Sequence, residues 1–161
     1  MADQHDIETK FWKALKADRT IMLSVPSDAT ALPRPMTALI DGDGPGPIWI
    51  FTAQQNQLVK DLHPGAESVF TLASKGHELF ASVDGILSID TDPVVIDRLW
   101  NPFVAAWYKG GKSDPDLVLL RFDAQHAEIW LDGSSLLAGI KMLFGSDPKR
   151  DYSDKVAKVT L

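Results

Sequence analysis

The feature that most constrains the fold of this chain is a long alternating stretch, ELFASVDGILSID, at residues 78–90. Apolar residues recur there at every second position, as they do on the buried face of a β-strand. The positions that share this parity are Leu79, Ala81, Val83, Leu87 and Ile89. Gly85 takes the remaining place in the series and predicts a bulge or a bend within the strand.

Shorter β-like runs lie on both sides of this strand. RTIMLSVP, RPMTALID, PIWIFTA and ESVFTLAS precede it, and PDLVLLRFD and HAEIWL follow it. Clusters of Pro, Gly and Asp separate most of these runs, as turns between strands require. Six or seven strands joined by short turns, with helices at the periphery, are typical of a small antiparallel barrel. We therefore expect a mainly β protein, and the length of 161 residues predicts one domain over 1–161.

Four segments have helical rather than strand patterns. The first, DIETKFWKALKAD, places Ile7, Phe11 and Leu15 on one face, and Asp6 can cap it. The second, TAQQNQLVKDLH, begins with a threonine at 52 and a glutamine at 55 in capping-box spacing. The third, TDPVVIDRLWNPFVAAWY, is expected to be kinked or split by its proline at 102. The fourth, GSSLLAGIKMLFG at 133–145, predicts a closing helix, and a polar tail follows it to 161.

The composition narrows the classes of partner and cofactor. The chain contains no cysteine, which excludes disulfides, cysteine–zinc sites, iron–sulfur clusters and a thiol nucleophile. Its formal net charge is -6 and it has no dense Lys/Arg run, so nucleic acid is not expected as a partner. No apolar run approaches the roughly 18 residues of a membrane span, and MADQHDIETKF lacks the apolar segment of a secretory signal. We expect a cytoplasmic protein with no membrane association.

A second motif, AWYKGGKS at 106–113, fits a relaxed phosphate-binding loop. Such a loop connects a strand to a helix, so that the helix amides face the phosphate. Here the predicted order is reversed, because a helix precedes the motif and a strand follows it. Pro115 also disfavours a helix that starts at Ser113. The motif is therefore expected to be a glycine-rich helix exit, in which Lys109 and Lys112 are either anion contacts or solvated side chains.

No metal site is predicted, and the tryptophans are more informative than the histidines. The four histidines lie far apart and form no H-x-x-x-H pair, and the loop DGDGPGP at 41–47 departs from the calcium-loop pattern. Trp49 and Trp130 lie in predicted strands and are expected in the core. Trp100 and Trp107 are expected on one helical face, where they either pack in the core or stack on a planar cofactor or a partner subunit.

Several stretches, in this order along the chain, resemble the general stress protein 26 family, which belongs to the pyridoxamine 5′-phosphate oxidase-like, FMN-binding split barrels. These stretches are RPM at 34–36, IWIFTA at 48–53, ASVDGILSI at 81–89, LWNPFVAAWYKGG at 99–111 and DPDLVLLRF at 114–122. The resemblance covers residues 8–132, whereas 133–161 has little family signature. It implies a split-barrel homodimer with two flavin sites at the subunit interface.

The resemblance also implies which residues of the second β-like run hold the cofactor. Arg34 stands where the family's arginine contacts the FMN phosphate. The backbone from Pro35 through Met36 to Thr37 is then implied to lie along the isoalloxazine.

Two further parts of the site follow from the same resemblance. Phe51 and Thr52 match the family's aromatic–threonine pair, in which the threonine binds phosphate. The sequence supports this role independently, because Thr52 is predicted to start a short helix whose free amides and dipole suit an anion. Trp100 and Trp107 are implied to reach the flavin of the other subunit.

The sequence departs from the family in the helix that follows. Family members usually have a lysine six residues after the threonine, often preceded by a polar or basic residue, whereas here these two positions are Leu58 and Gln57. Lys60 lies two residues further, about 200° around a helix, and cannot take over the same direction. The resemblance therefore predicts a weakened phosphate site in which Leu58→Lys tightens FMN binding.

The function that the resemblance implies is that of an FMN-binding stress protein, with a flavin-dependent oxidoreductase as the first hypothesis. No residue stands out as a general acid or base, so no catalytic residue is assigned. The alternatives are a flavin-binding or flavin-storing stress protein without dedicated catalysis, and a cofactor-free dimer that keeps only the fold. FMN is the implied cofactor, with FAD or no cofactor as alternatives.

Overall fold

The computed structural model describes residues 3–26, 32–131 and 156–161. The strands in these ranges are β1 Thr20–Ser24, β2 Arg34–Thr37, β3 Leu39–Ile40, β4 Ile48–Ala53, β5 Ala66–Ala73, β6 Leu79–Ile89, β7 Leu117–Leu131 and β8 Val156–Thr160. The helices are α1 Gln4–Asp18, α2 Gln57–Asp61, α3 Pro93–Leu99 and α4 Pro102–Ala105, with a 3-10 turn at Gly111–Ser113. The predicted closing helix at 133–145 lies outside the described residues.

The strands form one antiparallel sheet that nearly closes on itself. Its order is β2-β1-β5-β6-β7-β4-β3, and β8 pairs with β7. The two ends of this order, β2 and β3, are consecutive in the chain and are separated only by Ala38. The backbone N–H of Ala38 donates to the carbonyl oxygen of Arg19 at 2.7 Å. The result is a seven-stranded barrel, which confirms the predicted split-barrel fold.

The alternation in β6 creates the buried face that the sequence predicted. Leu79, Ala81, Val83 and Leu87 are buried in the barrel, whereas Ile89, at the end of the strand, is exposed. The main core also contains the helical residues Ile7, Phe11 and Leu15, which cover it with α1.

A bulge in the pairing of β6 with β7 explains why β7 is one continuous strand, where the sequence predicted the two runs PDLVLLRFD and HAEIWL. Asp84 pairs with His126 and Gly85 pairs with Ala124, so Gln125 is an extra residue of β7. The predicted bulge at Gly85 is thus confirmed. A Cβ atom at Gly85 would lie 2.3 Å from the carbonyl oxygen of Asp123, so a larger residue does not fit. Since the bulge absorbs the irregularity, β7 continues unbroken to Leu131.

Two predicted helix starts are wrong. α1 begins at Gln4 behind Asp3, so Asp6 lies in its first turn and does not cap it. Thr52 remains in β4, and α2 begins five residues later with Asn56 as its N-cap. The side chain of Asn56 binds the amide of Leu58, which a threonine held within the β-ladder could not do.

The outer surface of β4 and β7 is covered by the two helices that the predicted proline break produces. α3 ends at Leu99, and α4 begins at Pro102 behind Asn101, whose side chain accepts from the amides of Phe103 and Val104. A second apolar cluster forms beneath these helices, and its buried members are Leu39, Trp49, Val95, Ile96, Val104, Tyr108, Leu117 and Leu119. None of the helices in the described ranges is long and apolar enough to cross a membrane.

Candidate functional site

A cavity of about 720 Å³ lies where the end of α1, the β2–β3 run, the end of β4 and the segment after α3 meet. It is lined by residues 18–20, 35–37 and 51–53, together with Leu39, Asn101, Phe103, Val104, Trp107, Tyr108 and Asp116. Its volume is that of a typical small-molecule site. Such a cavity forms here because the barrel closes at the β2–β3 junction while the segment after α3 is packed on β4.

Six of the residues predicted to bind a cofactor line this cavity. They are Pro35, Met36, Thr37, Phe51, Thr52 and Trp107. The remaining predicted residues, Arg34, Gln57, Leu58 and Trp100, do not line it.

Arg34 belongs instead to a polar cluster next to the cavity. It pairs across the β1–β2 ladder with the fully buried Leu23, so its side chain leaves β2 on the barrel-interior face. The Arg34 Nη1 donates to Asn56 Oδ1 at 3.0 Å, and Asn56 Nδ2 donates to Thr52 Oγ1 at 3.1 Å. Thr52 therefore belongs both to this cluster and to the cavity wall.

Asn56, the centre of that cluster, is one site residue that the sequence analysis missed. Its Oδ1 accepts from Arg34 and also from the Leu58 N–H, at 3.0 Å in each case. The amide of Leu58 is therefore occupied by the cap. An Asn directly before the helical pattern was the available signal, since Asn is a preferred N-cap residue.

Gln57 and Leu58 occupy the positions where the sequence departs from the family. Both side chains lie outside the cavity wall. Leu58 is 5% exposed and packs in the barrel core. Gln57 is exposed, and its Nε2 donates to Asp61 Oδ2 at 2.8 Å. A lysine at position 58 would therefore have its Cβ in an apolar environment.

Tyr108 is a second site residue that the sequence did not reveal. Its hydroxyl donates to the carbonyl oxygen of Thr52 at 2.7 Å and ties the segment after α4 to β4. Burial raises the pKa of Tyr108 to about 12, and the carboxylates of Asp116 and Asp114 add to the shift. The phenol is therefore protonated at physiological pH and acts as a hydrogen-bond donor. Its partner lies 56 positions away in sequence, beyond the reach of local patterns.

The two tryptophans after β6 have different environments. Trp100 packs edge-on against Phe51, with ring centroids 6.2 Å apart, and is half-buried. Trp107 is 85% exposed at the cavity wall. The prediction that they share one helical face is wrong, because the extended backbone of Asn101 (φ -147°, ψ 167°) separates α3 from α4.

The segment at 106–113 is a helix exit, as predicted. It leads from α4 through the 3-10 turn into β7. The Asp114 carboxylate accepts from the amides of Gly110 and Asp116, and these bonds lower the pKa of Asp114. Lys112 Nζ forms an ion pair with Asp97 Oδ1 at 2.8 Å. The amides of Gly110 and Asp116 and the side chain of Lys112 are thus bonded within the protein.

The charged residues of the cavity wall are Asp18, Arg19 and Asp116. Asp18 Oδ2 accepts from the backbone N–H of Lys75 at 2.9 Å. Asp116 lies close enough to Tyr108 to raise its pKa. Across the part of the chain that the structure describes, no three His, Asp or Glu side chains gather as metal ligands.

The fold and the cavity are those of a split-barrel protein with a small-molecule site, and comparison with known families identifies the family. The family described as pyridoxamine 5′-phosphate oxidase like matches residues 6–150. The chain therefore belongs to the pyridoxamine 5′-phosphate oxidase-like family.

Similar solved structures narrow the resemblance to general stress proteins. One described as a general stress family protein from Xanthomonas campestris pv. campestris is 58% identical, covers 84% of this chain and 93% of its own, and has a TM-score of 0.80. The general stress FMN/FAD binding protein from Xanthomonas citri is 55% identical, with coverages of 82% and 93% and a TM-score of 0.79.

A more distant structure spans nearly the whole chain. It is described as a general stress protein 26 from Jannaschia sp. CCS1 and is 30% identical, with coverages of 99% and 100% and a TM-score of 0.78. The resemblance to the general stress protein 26 family is thus confirmed. No protein of curated function matches the chain.

Proposed function

We propose that this chain is a flavin-binding protein of the general stress type that holds FMN in the cavity between β2, β4 and the segment after α3. The observation that carries the proposal is that six residues assigned to the cofactor from the sequence line one cavity. The Xanthomonas citri protein that is 55% identical to this chain is described as FMN/FAD binding, which supports a flavin as the ligand.

The donors around Thr52 suit the phosphate of FMN. Arg34 supplies a guanidinium, and the Asn56 amide and Thr52 hydroxyl supply neutral donors within one connected cluster. Charge-assisted hydrogen bonds of this kind are the strong contacts to phosphate. The lack of a lysine at position 58 leaves Arg34 as the cation of this group.

The apolar wall suits the ring system. Met36 and Phe51 offer apolar surface, and Trp107 offers an exposed aromatic face at the cavity wall. A bound flavin supplies hydride or electron transfer, and we propose a flavin-dependent oxidoreductase on that basis. The protein's part is to hold and orient the cofactor.

We further propose a homodimer in which a second copy covers the open side of the cavity. Phe103 and Trp107 are 80% and 85% exposed, which is unusual for large apolar side chains next to a cavity. Light scattering at micromolar concentration is expected to give twice the mass of the 17.7 kDa chain. A monomer mass would count against the dimer and against an interfacial flavin site.

The flavin site is tested by titration calorimetry with FMN and riboflavin. We expect Arg34→Ala to weaken FMN about 10- to 150-fold, the equivalent of one charge-assisted contact, and to leave riboflavin unchanged. The matched control is Arg98→Ala, which removes an exposed arginine paired with Asp41 and is expected to change neither ligand. Trp107→Ala is expected to weaken both flavins by about 0.5–1.5 kcal/mol. If the wild-type dimer binds neither FMN nor riboflavin, the proposed function is wrong.

A further inference from the structure

Among the described residues, Arg19 is the cation of the cavity wall, and neither the sequence patterns nor the proposed flavin contacts account for it. It follows the last residue of α1 and has φ 60°, in the left-handed region. Glycine is the usual residue at this helix exit, because side chains other than glycine are strained there. The chain therefore tolerates a local conformational cost at an exposed position that borders the cavity and carries an arginine.

The guanidinium of Arg19 has little protein bonding. Its Nε donates to the Lys16 carbonyl oxygen at a long 3.3 Å. Within residues 3–26, 32–131 and 156–161, no carboxylate lies at ion-pair distance from it. The adjacent Asp18 is directed to the backbone of Lys75 instead.

Arg19 lies at the opposite end of β2 from Arg34. Arg34 pairs with Leu23, whereas Thr37 pairs with Thr20, the residue after Arg19. Four residues of extended chain separate the two arginine positions along β1, or about 13 Å. The two cations therefore start from opposite ends of β2, where each can meet a different anionic group.

The rest of the cavity wall indicates the shape and orientation of the second anion. Its aromatic residues are Phe51, Phe103, Trp107 and Tyr108. Asp116 and Tyr108 both line the cavity, and the negative charge of Asp116 repels an anion from its side of the wall. A planar molecule with one acidic group is therefore favoured, with its ring against Phe103, which the proposed flavin contacts do not use, and its acid at Arg19.

We propose that Arg19 forms the anion-binding end of a second ligand site, which takes a small aromatic carboxylate beside the flavin. The proposal rests on the proposed function in one respect: the flavin phosphate is held at Arg34, which leaves Arg19 to the second ligand. The contact is a charge-assisted hydrogen bond in which the guanidinium donates to the carboxylate.

The test compares benzoate with benzamide, which has the same shape but no charge, by titration calorimetry on the FMN-loaded protein. Benzoate is expected to bind about 10- to 100-fold more tightly than benzamide. Arg19→Gly should abolish that difference and leave FMN and riboflavin binding unchanged. Because glycine suits the left-handed conformation, this variant is expected to fold at least as well as the wild type. Arg19→Lys should keep part of the preference, and the control Lys13→Ala, which removes an exposed cation of α1, should keep all of it.

Several results would overturn the proposal. If benzoate does not bind, or binds no better than benzamide, or binds equally to Arg19→Gly, there is no anion site at Arg19. If Arg19→Gly weakens FMN but not riboflavin, Arg19 contacts the flavin phosphate instead. If benzoate binds only to flavin-free protein, the two ligands compete for one site. Failure of the flavin site is distinguishable, because then the wild type binds no flavin, and without the flavin there is no second ligand beside it.

Discussion

Replacement of Asn56 should separate the stability of the fold from its affinity for FMN. The Asn56 carboxamide caps α2 through the Leu58 amide, accepts from Arg34 and donates to Thr52. Asn56→Asp keeps both acceptor contacts but replaces the donor with a negative charge. Since Asp and Asn are equally good N-caps, we expect the free energy of unfolding to remain close to that of the wild type.

Asn56→Ala removes the cap and should lower the free energy of unfolding by about 1 kcal/mol, within a range of roughly 0.5–2 kcal/mol. For FMN affinity the two variants rank in the opposite order. The aspartate engages the guanidinium of Arg34 and repels phosphate, so Asn56→Asp should weaken FMN about 10- to 150-fold, whereas Asn56→Ala leaves Arg34 free to meet the phosphate.

Urea denaturation gives the stabilities, and calorimetry with FMN and riboflavin gives the affinities. Riboflavin should distinguish neither variant from the wild type, because it has no phosphate. If Asn56→Asp binds FMN as well as Asn56→Ala does, the phosphate does not lie at the Arg34–Asn56–Thr52 cluster, and this reasoning is refuted.

Three further outcomes follow from the described contacts. Gly85→Ala should lower the free energy of unfolding by about 1–3 kcal/mol because its Cβ meets backbone at 2.3 Å, whereas Gly76→Ala, whose Cβ has ordinary contacts, should stay within about 0.5 kcal/mol in the same urea titration. The pKa of Tyr108 is raised from 10 in the unfolded chain to about 12 in the folded protein. The stability linked to the protonated phenol is therefore complete below pH 10 and is lost as the pH rises toward 12, so the difference in free energy of unfolding between wild type and Tyr108→Phe should narrow over that window. Leu58→Lys should lower the free energy of unfolding by about 2–5 kcal/mol because Leu58 is 5% exposed, and an unchanged denaturation midpoint would show that the lysine reaches solvent.

The sequence predicted those parts of the fold that depend on local pattern. The alternation in β6, the bulge at Gly85 and the helix break at Pro102 follow from side-chain parity and from backbone restrictions of single residues. Thr52 was predicted both to end a strand and to start a helix, because its capping spacing is also compatible with a strand end. Its pairing with Val118 of β7 shows that only the strand assignment is right.

The candidate site was predictable only in part. The residues of β2 and β4 followed from the family resemblance, since both runs are contiguous in sequence. Tyr108 and Arg19 were missed because their places in the cavity depend on contacts between distant segments. The left-handed backbone of Arg19 has no sequence signal, since an arginine at a helix end is ordinarily a favourable charge for the helix dipole.

The hydrogen bond from Ala38 to Arg19 joins barrel closure and ligand access in one place. The residues on either side of Ala38, Thr37 and Leu39, both line the cavity, and the bond extends the β1–β2 pairing to Ala38, the residue that links the two ends of the sheet. Any fluctuation that breaks this hydrogen bond therefore deforms the cavity wall at the same time. Exchange of the Ala38 amide hydrogen with deuterated solvent should therefore slow when a ligand fills the cavity, and a single backbone proton would report occupancy without a label on the ligand.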